Sequence, residues 1–258
     1  MHLLTSLKRR LFGTQPQTIT TGPAAGLRFD PGPSNPAYGS GDNELPVQST
    51  LQRCLQPGDV FYDIGANVGF LSVVGAHCVG PQGAVHAFEP LPANVALVRR
   101  NASLNGFAQI VVHPIAVGDV TGRAQLVVAA YSGGSALAAV EAPPDATGES
   151  IEVDISTVDA LVERGLPPPT LVKIDVEGAE LLVLKGMEQV CARHAPRILY
   201  ELDGVSEEAL EPKRVECERW LLDHHYSVSE LELSYVGQRW RVRHFLATPR
   251  QARQASST

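Results

Sequence analysis

Between residues 59 and 117 the chain alternates short apolar runs with longer amphipathic ones. Asp59-Val60-Phe61-Tyr62-Asp63-Ile64 is rich in β-forming residues and ends in a glycine loop. Phe70–Cys78 is apolar over the length of a helix and closes on Gly80 and Pro81. Ala84–Phe88 predicts a second strand, ending at Glu89-Pro90. Pro92–Leu104 predicts a helix, with proline early in it and Asn105-Gly106 stopping it. Gln109–Val117 predicts a third strand. The succession β-α-β-α-β, with near-continuous apolar strands, belongs to a parallel sheet covered by helices on both faces, so the expected fold class is α/β.

Downstream, Arg123–Ala130 and Ser150–Ile155 predict a small β insertion after the third strand. Residues 131–148, rich in Gly, Pro and Ala, read as a flap bordering a ligand pocket. Thr157–Arg164 predicts a helix, Thr170–Asp175 the fourth main strand and Glu180–Cys191 its helix. Arg197–Leu202 predicts the fifth strand, Glu207–His225 a helix, and 226–236 with 240–247 an antiparallel edge pair. Residues 13–50 show no sustained period apart from a helix at about Leu45–Leu55. The expected division is an N-terminal arm over 1–44, a single domain over 45–250 and a frayed polar tail over 251–258. Met1–Phe12 reads as a short exposed helix or frayed terminus.

Composition narrows the function classes. The 258 residues carry 21 Lys+Arg against 28 Asp+Glu, a net charge of -7. Gripping a phosphate backbone needs a basic face, so no nucleic-acid partner is expected. Cys54, Cys78, Cys191 and Cys217 form neither a CxxC pair nor a zinc-finger spacing with histidine, which argues against structural zinc and a disulfide framework. Scattered thiols fit a reducing compartment, and a cytoplasmic location is expected. No apolar run reaches the ~18 residues of a transmembrane helix.

Candidate chemistry gathers at the predicted strand ends. Asp63-Ile64-Gly65-Ala66-Asn67-Val68-Gly69 follows the first strand, where open α/β sheets bind ligands. Its GxxxG spacing departs from the GxGxxG dinucleotide fingerprint, which argues against a nicotinamide-dependent oxidoreductase. Asp63 beside the loop would repel a pyrophosphate and attract an ammonium or sulfonium group. Glu89, closing the second strand, can accept hydrogen bonds from a ribose diol. A ligand with a ribose, a cationic amino-acid end and no phosphate is S-adenosylmethionine. A second cluster, Lys173-Ile174-Asp175-Val176-Glu177-Gly178-Ala179-Glu180, ends the fourth strand. Helix capping explains Glu180, but Lys173 within an apolar strand needs a carboxylate partner.

These segments carry a resemblance. DIGANVG, HAFEPLPANVALVRRNASLNG, AVGD, STVDALV, LVKIDVEGAELLVLKGM and RILYEL occur in that order between Leu45 and Asp203. Together they resemble the FkbM family of methyltransferases, with KIDVEGAE the most specific element. The resemblance implies a Rossmann-like class I methyltransferase fold: a mostly parallel seven-stranded sheet whose last strand is antiparallel. It implies S-adenosylmethionine held by Asp63, Gly65, Asn67, Gly69 and Glu89. Asp119 matches the family's acid after the third strand, with contact to adenine or capping of a turn both open. It also implies transfer of a methyl group to a hydroxyl of a sugar or natural-product small molecule; such an acceptor needs a general base, for which Asp175 and Glu177 are the candidates, with Lys173 tuning them or orienting the acceptor. His113 is a further candidate base. A Mg²⁺ ion held by Asp175, Glu201 and Asp203 is a minority alternative to the simple base, and no metal ligand is assigned. The rival to an enzyme is a non-catalytic binding module, which predicts loss of Asp63, Glu89 or Asp175; all three are present.

Overall fold

A computed structural model describes residues 15–129, 135–138, 140, 146–235 and 241–250 of the chain. Two very short strands, β1 (Gln17–Thr18) and β2 (Arg28–Phe29), pair antiparallel ahead of helix α1 (Leu45–Cys54). The central sheet then begins with β3 (Val60–Ile64), α2 (Phe70–Val79), β4 (Ala84–Phe88), α3 (Pro92–Leu104) and β5 (Ile110–His113). After an insertion come α4 (Val158–Glu163), β10 (Leu171–Ile174), α5 (Glu180–Lys185), α6 (Glu188–His194), β11 (Arg197–Gly204), α7 (Glu207–Asp223), β12 (Tyr226–Glu230) and β13 (Arg241–Pro249).

Seven of these strands form one sheet in the order β12-β13-β11-β10-β3-β4-β5. β13 runs antiparallel to both β11 and β12, so it is slotted inside the sheet, and only β12 is at that edge. The chain leaves β3 toward β4 and β5, then returns to build β10 and β11 on the other side. The strand order therefore reverses between β3 and β10, the place where open α/β sheets form their crevice. Alternate residues of each strand feed two cores. Tyr62, Ile64, Val172, Ile174, Ile198 and Tyr200 pack under α4 to α7. Phe61, Val85, Leu171 and Leu199 pack under α1 and α2.

The arm belongs to the second core. Ile19, Ala24, Phe29 and Tyr38 are buried there beside Leu51 and Phe70. Its backbone is tied down by Asn101 of α3, which accepts from Asp30 N at 2.7 Å and donates to the carbonyls of Asp30 and Val68 at 3.0 and 2.8 Å. A chain without period is thus held by side chains of other elements, which no local pattern announces.

Two expected elements are divided. The third strand breaks at Pro114, which offers no N–H to a ladder. β5 stays in the central sheet, and β6 (Ala116–Val117) joins β7 (Gly122–Ala129), β8 (Ala136–Leu137) and β9 (Ala146–Ser156) in a separate four-stranded sheet. The helix after β10 breaks at Gly186, where a Cβ would stand 1.9 Å from the Gly118 carbonyl oxygen. That close approach lets β6 reach the helix layer. Residues 131–134, 139 and 141–145 of the expected flap, residues 236 and 240 of the expected edge pair, the first 14 residues and the tail after 250 lie outside the described residues.

Candidate active site

A cavity of about 950 Å³, counted out to its open mouth, lies at the carboxyl ends of β3, β4, β10 and β11. One wall is apolar, with Phe88, Leu91, Ile115, Val117, Leu126 and Leu137. The other is acidic, with Glu44, Glu89, Asp175, Glu177 and Glu201. Among the described lining residues none is Lys, Arg or His.

The glycine loop shapes the floor. Gly65 has φ +76°, and a Cβ there would stand 1.8 Å from the Asp175 carbonyl oxygen. Asn67 is left-handed at φ 51° and its side chain accepts from Asn94 Nδ2 at 3.3 Å. Its backbone N–H donates to Glu89 Oε2 at 2.8 Å, while Leu91 N–H donates to Oε1 at 2.9 Å. The Asn94 side chain also hydrogen-bonds this carboxylate, so of its roughly four acceptor sites about one is left for a ligand. Burial pushes the Glu89 carboxyl up to about 7, and these hydrogen bonds together with Lys173 work in the opposite direction.

Strand alternation separates Lys173 and Asp63 from the cavity. In the β3–β10 pair they stand side by side on the face that meets α2. Asp63 is fully buried and accepts from Ser72 Oγ at 2.5 Å. Lys173 Nζ sits beneath the floor, donating to Asp175 Oδ2 at 2.9 Å and to the Gly65 carbonyl at 3.2 Å, with Asp63 Oδ1 at 3.8 Å. Burial works against the ammonium, but Asp175 and Asp63 outweigh it and hold the Lys173 pKa above its ordinary value. The buried lysine thus finds its carboxylate partners, one inside the cavity wall and one behind it.

Glu177 lines the cavity from a left-handed turn (φ 53°) that Gly178 continues at φ 97°. Burial pushes its carboxyl up to about 10, with Asp175, Asp203, Glu201 and Glu180 adding to the rise. Glu180 closes the same turn, its Oε1 accepting from Val176 and Gly178 N–H at 3.2 and 3.0 Å. Gly69 packs against Val98 of α3, away from the lining. Asp119 is exposed on the far side of β6, beside Gly186, and is not brought to the cavity. His113 stacks on Phe88 and sits 2.9 Å from His86 Nδ1, also outside the lining. Asp203 turns to Lys213, which donates to its carbonyl at 3.0 Å and approaches its carboxylate at 3.5 Å. Asp175, Glu201 and Asp203 therefore do not close as one metal cage.

The site also draws on Tyr38 and Glu44 from the arm and Tyr235 after β12, which no pattern singled out, and on Ser135 and Leu137 from the segment expected as a flap. Tyr235 Oη donates to Glu44 Oε1 at 2.6 Å across 191 positions of sequence. Leu137 was legible only as part of a flap at the pocket's border.

An α/β sheet with a crevice at its reversal point is a Rossmann-like architecture, and solved structures of methyltransferases share it. A methyltransferase FkbM from Methylobacillus flagellatus KT superposes with TM-score 0.50 at 19% identity, over 77% of this chain and 50% of that one. Aeropyrum pernix fibrillarin, solved with S-adenosyl-L-methionine, gives TM-score 0.50 at 12% identity, over 78% and 73%. The methyltransferase FkbM domain matches residues 63–228, and the chain belongs to that family of methyltransferases. Among curated relatives, the 31-O-demethyl-FK506 methyltransferase FkbM of Streptomyces tacrolimicus is 32% identical over 178 residues, 58% of this chain and 68% of that protein. The hexuronic acid methyltransferase AglP of Haloferax volcanii is 32% identical over 145 residues, 56% of each. The chain thus spans about half the length of AglP and of the Methylobacillus protein. No helix among the described residues is long and apolar enough to cross a membrane.

Proposed function

We propose that the chain binds S-adenosylmethionine in this cavity and methylates a hydroxyl of a sugar or natural-product small molecule. The observation that carries the reading is the lining: five carboxylates, an apolar slot and no cationic side chain among the described residues. A nicotinamide cofactor would bring a pyrophosphate to that wall with nothing to neutralise it. The residues present suit S-adenosylmethionine. Glu89 has a lone pair left for a ribose hydroxyl, Gly65 and Asn67 leave room for the amino-acid end, and the wall from Phe88 to Leu137 suits a purine. The cofactor supplies an activated methyl group with a good leaving group. What remains for the protein is to align the acceptor, exclude water and take up a proton. Asp175, paired with Lys173 and facing the cavity, is placed to accept that proton. Glu177 stands beside it to orient the acceptor, and Lys173 acts from behind as a positioning residue. The names of the two curated relatives, a 31-O-demethyl-FK506 methyltransferase and a hexuronic acid methyltransferase, favour an oxygen acceptor.

Calorimetric titration tests the cofactor: S-adenosylhomocysteine is expected to bind and NADH is not. The reverse result overturns the reading. With an acceptor in hand, Asp175→Asn is expected to lower turnover by ~10²–10⁴-fold with S-adenosylhomocysteine affinity within a few-fold. Glu177→Gln is expected to cost less. Wild-type turnover in both variants, at saturating cofactor, removes this cluster from the chemistry.

A further inference from the structure

The acidic wall ends in a histidine that the methyl-transfer reading does not use. His244 lies in the middle strand of the β12-β13-β11 ladder, opposite Glu201, and is only 4% exposed. Its Nε2 has no hydrogen-bond partner. Glu201 Oε2 stands 2.7 Å from that nitrogen but off the line a ring N–H would need. A buried ring nitrogen left without a hydrogen bond is an unusual feature and calls for a ligand. Glu44 completes the group: one ligand atom from each of Glu44, Glu201 and His244 falls within 4.8 Å of the others.

We propose that Glu44, Glu201 and His244 bind a first-row divalent metal ion at the edge of the cavity. One imidazole nitrogen with two carboxylate oxygens is a mixed donor set that suits Mn²⁺ through Zn²⁺ better than Mg²⁺ or Ca²⁺, which take oxygen alone. Ligand atoms at ~2.0–2.2 Å from an ion stand roughly 3–4 Å apart, so a small side-chain movement closes the set. Each end of the group is oriented from outside, as metal ligands are. Ser234 Oγ lies 3.3 Å from His244 Nδ1, which leaves Nε2 as the nitrogen facing the carboxylates. Tyr235 Oη and Asn43 Nδ2 both reach Glu44 Oε1, at 2.6 and 3.2 Å, and anchor that carboxylate by one oxygen. Because Glu44 and Glu201 line the cavity, the ion would face the space beside Asp175. There it would bind an acceptor oxygen and favour its ionisation, a role that rests on the methyl-transfer reading. Binding of the ion itself does not.

The test uses the full chain, stripped with chelator and titrated with Mn²⁺, Zn²⁺ and Mg²⁺ separately by calorimetry, with electron paramagnetic resonance on the Mn²⁺ sample. One equivalent of Mn²⁺ or Zn²⁺ is expected, Mg²⁺ at least ~10-fold weaker, and a nitrogen coupling on bound Mn²⁺. His244→Gln and Glu201→Gln should each weaken binding by more than the ~10–100-fold that outer partners cost, and Asp203→Asn should not. His244 is interior, so Glu44→Gln, on the turn before α1, serves as a second variant if His244→Gln fails to fold. No stoichiometric ion, an absent nitrogen coupling, or unchanged binding in Glu44→Gln overturns the site. S-adenosylhomocysteine titration of the same stripped protein reads the cofactor proposal separately, so either can fail alone.

Discussion

Glu89 faces two opposite electrostatic demands. In the ligand-free fold its carboxyl is pushed up to about 7 by burial, against an ordinary 4.5. The protonated form is therefore favoured by folding, and that increment is fully present below about 4.5 and lost as pH rises through about 7. A ribose diol donating to the carboxylate favours the ionised form instead. Affinity for S-adenosylhomocysteine is then expected to rise by up to ~10-fold between pH 6 and 8, while ligand-free stability falls over the same range. Glu89→Gln should bind more weakly, remove the affinity slope and lessen the stability slope, which Glu180, also pushed up to about 7 by burial, shares. Calorimetry and thermal melts of the two proteins across pH measure this. A wild-type affinity that stays flat where Glu89→Gln is flat removes Glu89 from the ribose. At this scale the sequence sets Glu89 and Asp175 at strand ends, and both line the cavity together with Glu177 from the turn after β10. From sequence, Lys173 needs a carboxylate partner that is not named and Asp63 goes to the cofactor; the structure instead sets Asp63 beside Lys173 on a strand face turned from the cavity. Their neighbours in α2 decide that face, and Ser72 is nine positions away from Asp63.

Among elements, the loop between β3 and α2 is the most constrained. Gly65 combines a left-handed φ of +76° with a 1.8 Å approach of its missing Cβ to the Asp175 carbonyl oxygen. Any side chain there must push the ends of β3 and β10 apart, and those ends carry the cavity floor and the Lys173–Asp175 pair. Gly65→Ala is expected to cost ~1–3 kcal/mol from overpacking and ~1–2 kcal/mol from the backbone. The thermal midpoint should fall by roughly 5–10 °C, with loss of S-adenosylhomocysteine binding. A midpoint and affinity both at wild-type values would show that the floor gives way freely. Element boundaries followed local chemistry. β4 at Ala84–Phe88 and α3 at Pro92–Leu104 coincide with the sequence reading, because proline at the start and Asn105-Gly106 at the end act locally. The third strand and the helix after β10 do not: Pro114 breaks the strand because it offers the ladder no N–H, and Gly186 breaks the helix because it is pressed against Gly118.

For the whole molecule, the arm is the part least legible in sequence and the part that ties core to cavity. Phe29 is fully buried and packs edge-on against Tyr38 and Phe70, with ring centroids 5.4 and 5.3 Å apart. Tyr38 in turn packs on Phe70 at 4.8 Å and lines the cavity beside Asn35 and Glu44. One aromatic cluster therefore fixes the second core and one wall of the binding site together. Phe29→Ala should remove ~3–5 kcal/mol of stability through the void it leaves, and it should also weaken S-adenosylhomocysteine binding, because Tyr38 loses the ring that positions it. Val190→Ala on α6 is the control. Val190 is buried in the opposite core, beneath α4 to α7 and away from the cavity lining. It should lower the thermal midpoint by a smaller amount and leave affinity unchanged. The informative quantity is affinity measured well below both midpoints, where each variant is fully folded. If Phe29→Ala binds as tightly as Val190→Ala there, the arm stabilises the fold without shaping the site. If it binds more weakly in proportion to the displacement of Tyr38, the first part of the chain is a working wall of the pocket.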